Sequence, residues 1–422
     1  MYGLLRQSLP GFAQPPVPAN RRLGWTAVGR TVILLGVTSL LTDISSEMVS
    51  AVLPLYLLYQ LQASPLQLGI VDGIYQGCSG LVRLAAGISA DRWRRQKDVA
   101  AAGYALSAVS RVGLLLSSGA LGGIATFVLV DRIGKGIRTA PRDALISLSV
   151  PRERLGLAFG VHRALDTSGA LLGPLFAFGL LALAQRSFDI VFLASFSFAL
   201  IGLSVIGLFV ENRDVSSPTA SLSLAMADCA RLLQAPRFRV LVVAAGMLAL
   251  FTVSDVFIYI GLQRTGSLAL GLFPLLYVGT ALFYLLLALP AGRLADRVGR
   301  RKVYLAGQLL MLGVYVVLLA PGPTWVLALA LPLLGAYYAC TDGVLMAAAT
   351  CELDERIRTS GLALLTTVTS LASLASSILI GTLWTMGGMD TAFQFVAVAF
   401  VPAFGFGVWS LRKSSELIDI GR

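Results

Sequence analysis

Residues 87–97 read Gly-Ile-Ser-Ala-Asp-Arg-Trp-Arg-Arg-Gln-Lys, and residues 292–302 read Gly-Arg-Leu-Ala-Asp-Arg-Val-Gly-Arg-Arg-Lys. The two stretches lie 205 positions apart, close to half of the 422-residue chain. Each sits between long apolar runs, so each falls in a short polar connection of a duplicated unit. Basic residues in such a place orient membrane segments. That accounts for the arginines and lysines, but not for an Asp-Arg pair at a fixed distance after glycine, Asp91-Arg92 after Gly87 and Asp296-Arg297 after Gly292. A glycine there lets helices approach closely, and an aspartate at a helix end caps it or pairs with arginine.

Working outward, the composition is 56% hydrophobic and 13% charged, with a mean hydropathy of +0.80. A soluble domain carries roughly 25% charged residues. A soluble enzyme, a disordered chain and an ordinary nucleic-acid module are therefore excluded, and the net charge of +11 is not a nucleic-acid signal. The apolar runs are continuous rather than alternating, which excludes a β-barrel. The four cysteines, Cys78, Cys229, Cys340 and Cys351, form no CxxC pair, and His162 is the single histidine. No disulfide framework or metal site is expected. The Pro-rich start is not a cleavable signal peptide and reads as a cytoplasmic arm.

A bilayer-spanning helix needs about 20 apolar residues. Six such spans fall near 31–59, 65–89, 98–117, 121–148, 155–184 and 188–210, and six more near 238–263, 268–293, 302–320, 324–350, 359–386 and 391–411. The expected organisation is an arm (1–30), a six-helix bundle (31–211), a linker with one amphipathic piece around 224–234 (212–237), a second six-helix bundle (238–411) and a tail (412–422). With both termini cytoplasmic, the inside segments hold 23 of the 33 Lys and Arg residues, and the outside segments hold two, Arg186 and Arg264. A missed or invented span would destroy that bias. The fold class is all-α integral membrane, twelve transmembrane helices in two pseudo-symmetric six-helix bundles.

The loop at 292–302 resembles, at every position, the G-x-L-A-D-R-x-G-R-R-K motif of the major facilitator superfamily. The copy at 87–97 departs from it with Ser89 in place of Leu and Arg94 in place of Gly. Span 4 carries Arg132-Ile-Gly-Lys-Gly136-Ile-Arg-Thr-Ala140, similar to the family's R-x-x-x-G-x-x-x-A pattern, and span 5 carries Gly169-Ala-Leu-Leu-Gly173-Pro174, similar to the core of a pattern frequent in its proton antiporters. The alternative reading of Gly169 and Gly173 is close helix packing. The resemblance implies that spans 1, 4, 7 and 10 line a central cavity. It also implies that Gly87, Asp91, Arg92, Gly292, Asp296, Arg297 and Arg301 belong to gating loops that stabilise one closed face.

Ionisable residues inside spans are costly and are functional candidates by default. They concentrate in the first half: Asp43 and Glu47 in span 1, Asp72 and Arg83 in span 2, Arg111 in span 3, Asp131, Arg132, Lys135, Arg138, Arg142 and Asp143 in span 4, and His162, Arg163 and Asp166 in span 5. At about 100° per residue the six charges of span 4 fall within an arc of about 140°. Asp131 and Arg132 lie about 15 Å from the outer end, near the midplane. A network of Asp131, Arg132, Arg163 and Asp166 tying span 4 to span 5 is expected, with Arg83 and Arg111 pairing inside the bundle, Arg142 and Asp143 in a gating or structural role, and Asp72 solvated near the outer end. The second half offers Asp255 with Thr252 and Tyr259 on span 7, Asp342 with Tyr338 on span 10, Arg293 at a helix edge, and a small-residue stripe from Thr359 through Thr366, Ser370, Ser373 and Ser377 that reads as a packing face. Tyr277 and Tyr284 on span 8 also read as packing residues.

The leading functional reading is a secondary active transporter rather than an enzyme. No GxxxxGK[ST] loop signals ATP. A carboxylate in low dielectric can load and release a proton, which makes Asp43 the first candidate for proton coupling, Glu47 the second and Asp131, beside Arg132, the third. Arg132, Lys135, Arg138, Arg163, Asp166, Asp255, Tyr259 and Asp342 are the candidate cavity residues. On spans 1, 4 and 5 five bases meet five acids, which leans towards an amphiphilic or zwitterionic solute; the antiporter-like glycines lean towards proton-coupled efflux. The alternatives are proton-coupled uptake of an organic anion or other small metabolite and, from another class, a membrane-embedded enzyme acting on a lipid or phosphate. The expected partners are a small-molecule substrate, protons and the lipid bilayer of the inner membrane. No cofactor, metal or nucleic acid is expected, and the chain is expected to be a monomer.

Overall fold

Apolar runs this long leave the backbone no polar partner outside itself, so they fold as helices that satisfy every N–H and C=O internally. The computed structural model describes residues 29–93, 95–117, 119–151, 154–183, 187–211, 234–320, 325–353 and 358–419, with 79–81, 83–93, 156, 325–327, 358–360 and 413–419 followed as backbone. The first half contains α1 (Arg30–Leu55, extended by a π turn, Tyr56–Gln60), α2 (Pro65–Trp93), α3 (Gln96–Leu116), α4 (Leu121–Leu148), α5 (Leu155–Leu183) and α6 (Phe188–Phe209). The second contains α7 (Pro236–Leu250), α8 (Asp255–Thr265), α9 (Phe273–Val298), α10 (Arg300–Leu319), α11 (Trp325–Cys351) and α12 (Arg358–Asp419).

These elements give twelve membrane-length segments. Nine stretches of the described residues are long and apolar enough to cross a bilayer. One of them, 361–412, holds two spans, because α12 kinks at Gly388 (φ 86°, ψ 170°). α2 and α4, at 29 and 28 residues, add two more of membrane length. α7 and α8 together make one span. The arm 1–28, the linker 212–233 with its amphipathic piece, and the side chains of the tail beyond Arg412 lie outside the described residues.

Within the first half α1 packs on α5 and α6, α3 on α4 and α6, and α2 on α4; within the second, α11 packs on α9 and α10, and α12 on α7. The halves meet where α2 lies against α12 and α5 against α9. The described hydrogen bonds that cross between them are few: Tyr59 Oη donates to Gln263 Oε1 (2.8 Å), Leu66 N to Thr385 Oγ1 (3.0 Å) and Ser377 Oγ to Asp72 Oδ2 (2.6 Å). All lie towards the face away from the chain ends, so the halves are held together there.

Candidate functional site

The sequence reads span 7 as one helix over 238–263, but the structure breaks it. Residues 251–254 leave the helix, and α8 restarts at Asp255 with Ser254 as its N-cap, whose Oγ accepts from Val256 N at 3.3 Å. A Ser-Asp pair inside an apolar run is the sequence signal for such a restart. The freed backbone groups find partners: Tyr315 Oη donates to Phe251 O and accepts from Val253 N, both at 2.8 Å, and Ser376 Oγ donates to Thr252 O at 2.8 Å. Irregular backbone at membrane depth is tolerated only when buried in protein or lining a cavity. Here it does both.

Thr252, Val253 and Ser254 line a small cavity; a separate, larger one of about 490 Å³ lies between the halves. Its first-half wall includes Glu47, Asp72, Tyr75, Arg132, Lys135 and Arg163; its second-half wall includes Asp255, Tyr259, Tyr277, Tyr284, Tyr338 and Asp342. Of the residues expected there, Arg138 and Asp166 are absent from the lining. Of the proposed proton carriers Glu47 lines it, and Asp43 and Asp131 stand behind its wall. Tyr277 and Tyr284, expected as packing residues, face it as well. The small cavity, of about 240 Å³, opens behind the break of span 7 and shares Gln76, Tyr338 and Asp342 with the larger one.

The first-half charges divide into three groups rather than the single expected network. At the midplane, Asp131 is held by Arg132 and by Arg111 at 2.9 Å. Arg111 also donates to Ser46 (3.0 Å) and Ser45 (3.3 Å), and the guanidinium of Arg132 stacks 3.9 Å from the centre of the Tyr75 ring. Next along α4, Arg138 lies 3.8 Å from Asp43, donates to Ser107 at 2.9 Å and stacks on Tyr104. The carboxyls of Asp43 and Asp166 stand side by side. Nearer the chain ends, Arg142 bridges Asp143 (2.9 Å) and Asp166 (3.7 Å), and Asp166 also meets Arg163 at 3.4 Å. The tie between α4 and α5 is thus Arg142–Asp166, and Arg163, 71% exposed, reaches into the cavity instead of joining Asp131. Arg111 pairs inside the bundle as expected from the sequence; the Arg83 side chain lies outside the described residues. Among the described residues Lys135 has no carboxylate oxygen within 4.0 Å and Asp342 no Lys or Arg nitrogen within 4.0 Å.

Comparison with known proteins places this arrangement. The profile of the Major Facilitator Superfamily matches residues 35–280 and 266–418. An uncharacterised MFS-type transporter of Methanocaldococcus jannaschii is 31% identical over 368 residues, 85% of this chain and 89% of its own length. The chain belongs to the Major Facilitator Superfamily. An uncharacterised protein of Mycobacterium tuberculosis is 36% identical over 159 residues, 38% of each chain. Among solved structures, the nucleoside transporter NupG superposes with a TM-score of 0.74 at 15% identity, covering 92% of this chain and 99% of its own. A POT-family transporter in complex with 5-aminolevulinic acid superposes with a TM-score of 0.73 at 15% identity, covering 92% and 96%. These likenesses show the fold and a membrane transporter.

In this superfamily member the second loop motif is well formed. α9 ends at Gly299, whose φ of 111° is a conformation that other residues rarely adopt. Asp296 pairs with Arg300 at 3.1 Å, and Arg300 donates on to Ala347 O of α11 at 3.0 Å. Arg301 bridges Glu352 and Leu411 O, tying α10 to the ends of α11 and α12. The side chains of Gly87, Asp91 and Arg92, with Arg94, lie outside the described residues. Gly169 and Gly173 form the crossing of α5 over α1: a methyl on Gly169 would sit 2.6 Å from Leu40 O, and one on Gly173 2.7 Å from Glu47 Cβ. The glycines therefore act by packing, and they press α5 against the turns that carry Asp43 and Glu47. Asp72, expected to be solvated, is 4% exposed and bonded to Ser377 across the halves. The stripe that carries Ser377 is a contact face with a polar use.

Proposed function

We propose that this chain is a proton-coupled secondary active transporter that exports a small amphiphilic or zwitterionic solute by alternating access and antiport, from an inner membrane with both termini cytoplasmic. One observation carries the reading. The cavity between the halves offers an unpaired cation, Lys135, on one wall and unpaired or hydroxyl-bonded carboxylates, Asp342 and Asp255, on the other. A solute bearing both charges satisfies both walls, and burying either charge without a partner is costly. Tyr259, Tyr284 and Tyr338 supply apolar faces with polar tips for the body of the solute. The proton carriers are Asp43 first and Glu47 second. Asp43 supports this by standing beside Asp166, since two neighbouring carboxylates in low dielectric are costly to ionise together. Asp131, with its oxygens on two guanidiniums, serves as an anchor. Export is supported by the antiporter-like Gly169-to-Pro174 pattern and by its packing against Asp43 and Glu47.

The run of bases Arg132, Lys135 and Arg163 on one wall favours a second reading, uptake of an organic anion. One experiment separates the two. Purified protein is screened by thermal shift against zwitterions, anions, cations and neutral solutes, and the stabilising compounds are then tested in proteoliposomes with an imposed pH gradient. Zwitterion transport against its gradient that collapses with a proton ionophore is the expected result. Transport indifferent to the ionophore, or stabilisation by anions alone, refutes the proposal.

A further inference from the structure

Asp72 sits where the two halves touch. Its carboxylate accepts from Ser377 Oγ on α12 at 2.6 Å, and Ser254, in the break of span 7, and Gln76, one turn along its own helix, stand beside it. The backbones are in contact there too: a methyl on Gly69, one turn before Asp72, would fall 2.3 Å from Ser377 O. Around it α8 contributes Asp255, α9 contributes Tyr277, α1 contributes Glu47 across the cavity, and α4 contributes Arg132, stacked on Tyr75 of α2. α12 presents Leu374, Ser377 and Ile378 to this part of α2. Among the described residues no Lys or Arg nitrogen comes within 4.0 Å of Asp72.

A bound ion shifts a conformational equilibrium only by the difference in its affinity for the two states. Asp43 cannot supply that difference through its neighbours, because Arg138, Lys135 and Asp166 all belong to the first half and move with it. Asp72 is the opposite case. Ser377, its hydrogen-bond donor, and the neighbouring Ser254 belong to the second half, and parting the halves removes both and admits water. We propose that Asp72 is the carboxyl at which proton binding is coupled to the parting of the two halves on the face away from the chain ends. The proposal rests on the proton-coupled reading above.

The test needs no substrate. Cysteines introduced as Gln60→Cys at the end of the π turn and Thr265→Cys at the end of α8, both exposed positions, carry spin labels in a parent with Cys78, Cys229, Cys340 and Cys351 replaced by alanine. Double electron–electron resonance in nanodiscs then reads the distance across the seam in acidic and alkaline buffer. The parent is expected to shift its distance distribution with pH, Asp43→Asn to keep that shift and Asp72→Asn to lose it. Ser377→Ala, which leaves the carboxyl and removes one donor from the other half, is expected to displace the midpoint. A pH shift in Asp72→Asn equal to the parent's overturns the assignment while leaving proton coupling standing, whereas a parent that ignores pH overturns both. A shift driven by sodium at constant pH overturns the proton as the bound ion. Should Asp72→Asn fail to insert, Ser377→Ala decides, and an unmoved midpoint overturns the proposal.

Discussion

The two halves share one architecture and use polarity in opposite ways. The first half holds its charges in closed groups: Asp131 between Arg111 and Arg132, Asp43 beside Arg138, Arg142 across to Asp166, with aromatic rings of Tyr75 and Tyr104 backing two of the guanidiniums. The second half has few buried charges, and its polar groups are hydroxyls serving a broken helix: Tyr315 on the freed backbone of 251–253, Tyr338 Oη donating to Asp255 at 2.7 Å, Tyr259 Oη donating to Thr280 at 2.7 Å. An ion-pair cluster in low dielectric is rigid, because each member is costly to expose without its partners. A helix break held by single hydroxyl hydrogen bonds is cheaper to rearrange. On the proposed function, the first half is then a fixed charged wall and the second half the side that adapts to solute.

The comparison breaks most readily at Asp131. Asp131→Asn leaves Arg111 and Arg132 buried with no counter-charge, and removing one partner of a buried ion pair costs about 3–5 kcal/mol. Asp255→Asn keeps an acceptor for Tyr338 and is expected to cost no more than about 1 kcal/mol, the value of one hydrogen bond. Denaturant titration of the two variants in the same detergent measures both. Equal losses would show that the halves do not differ in rigidity. On the functional side, Asp43→Asn is expected to abolish gradient-driven transport and to preserve solute exchange between equal compartments. Gradient-driven transport surviving in both Asp43→Asn and Glu47→Gln moves the coupling site out of α1.

A smaller effect is expected from the cavity walls. Lys135→Gln and Asp342→Asn each remove one of the two unpaired charges, and each is expected to weaken binding of a stabilising zwitterion about tenfold, the equivalent of about 1.4 kcal/mol. A double-mutant cycle sharpens the contrast between walls. If one solute molecule spans the cavity, the losses combine without extra cost or gain, because the sites are distant and do not share partners. If Lys135 and Asp342 pair directly in the empty state, the double variant binds better than the sum of the singles implies.

Most of the fold was legible in sequence because length, apolarity and basic-residue bias are local signals: the twelve segments and the 205-residue repeat need no tertiary information. Membership of the cavity was legible for Arg132, Lys135, Arg163, Asp255, Tyr259 and Asp342, since charge inside an apolar span has few other places to go. What stayed hidden depends on which helix faces which. Asp72 reads as solvated until α12 is laid against α2. Asp131 reads as a proton carrier until Arg111 arrives from α3. Gly169 and Gly173 read equally as an antiporter-like pattern and as a packing face, and only α1 crossing them shows the packing. The break at 251–254 lay between these cases: Ser254-Asp255 signalled a cap, and the hydropathy of the run outweighed it.

A finer cut at the same contrast falls on Tyr315, which makes two hydrogen bonds to the broken span. Tyr315→Phe removes both and leaves Val253 N–H and Phe251 C=O short of a partner, with an expected loss of about 1–3 kcal/mol. Because the break positions Asp255, which lines the cavity between the halves, solute-induced stabilisation is expected to fall with it. Stability unchanged by the substitution would mean that the break holds without its hydroxyl clamp.

The smallest stability effect and a separable functional one are expected at the loop that repeats. The Asp296–Arg300 pair is exposed, with side chains 68% and 36% accessible, and is an i,i+4 contact. Such pairs are worth about 0–1 kcal/mol. Asp296→Asn is therefore expected to leave the melting temperature of the purified protein within about a degree or two. Arg300 keeps its hydrogen bond to Ala347 O, and Arg301 keeps Glu352, so the tie from α10 to α11 survives. What the substitution changes is the hold of the α9 end on Arg300, the one described contact of the motif's aspartate. If the loop biases which face is closed, transport in proteoliposomes slows several-fold at every solute concentration while solute affinity stays constant. Transport equal to wild type would assign Asp296 to surface charge alone, and the repeat that organises the sequence would then report duplication and topology, with no share in gating.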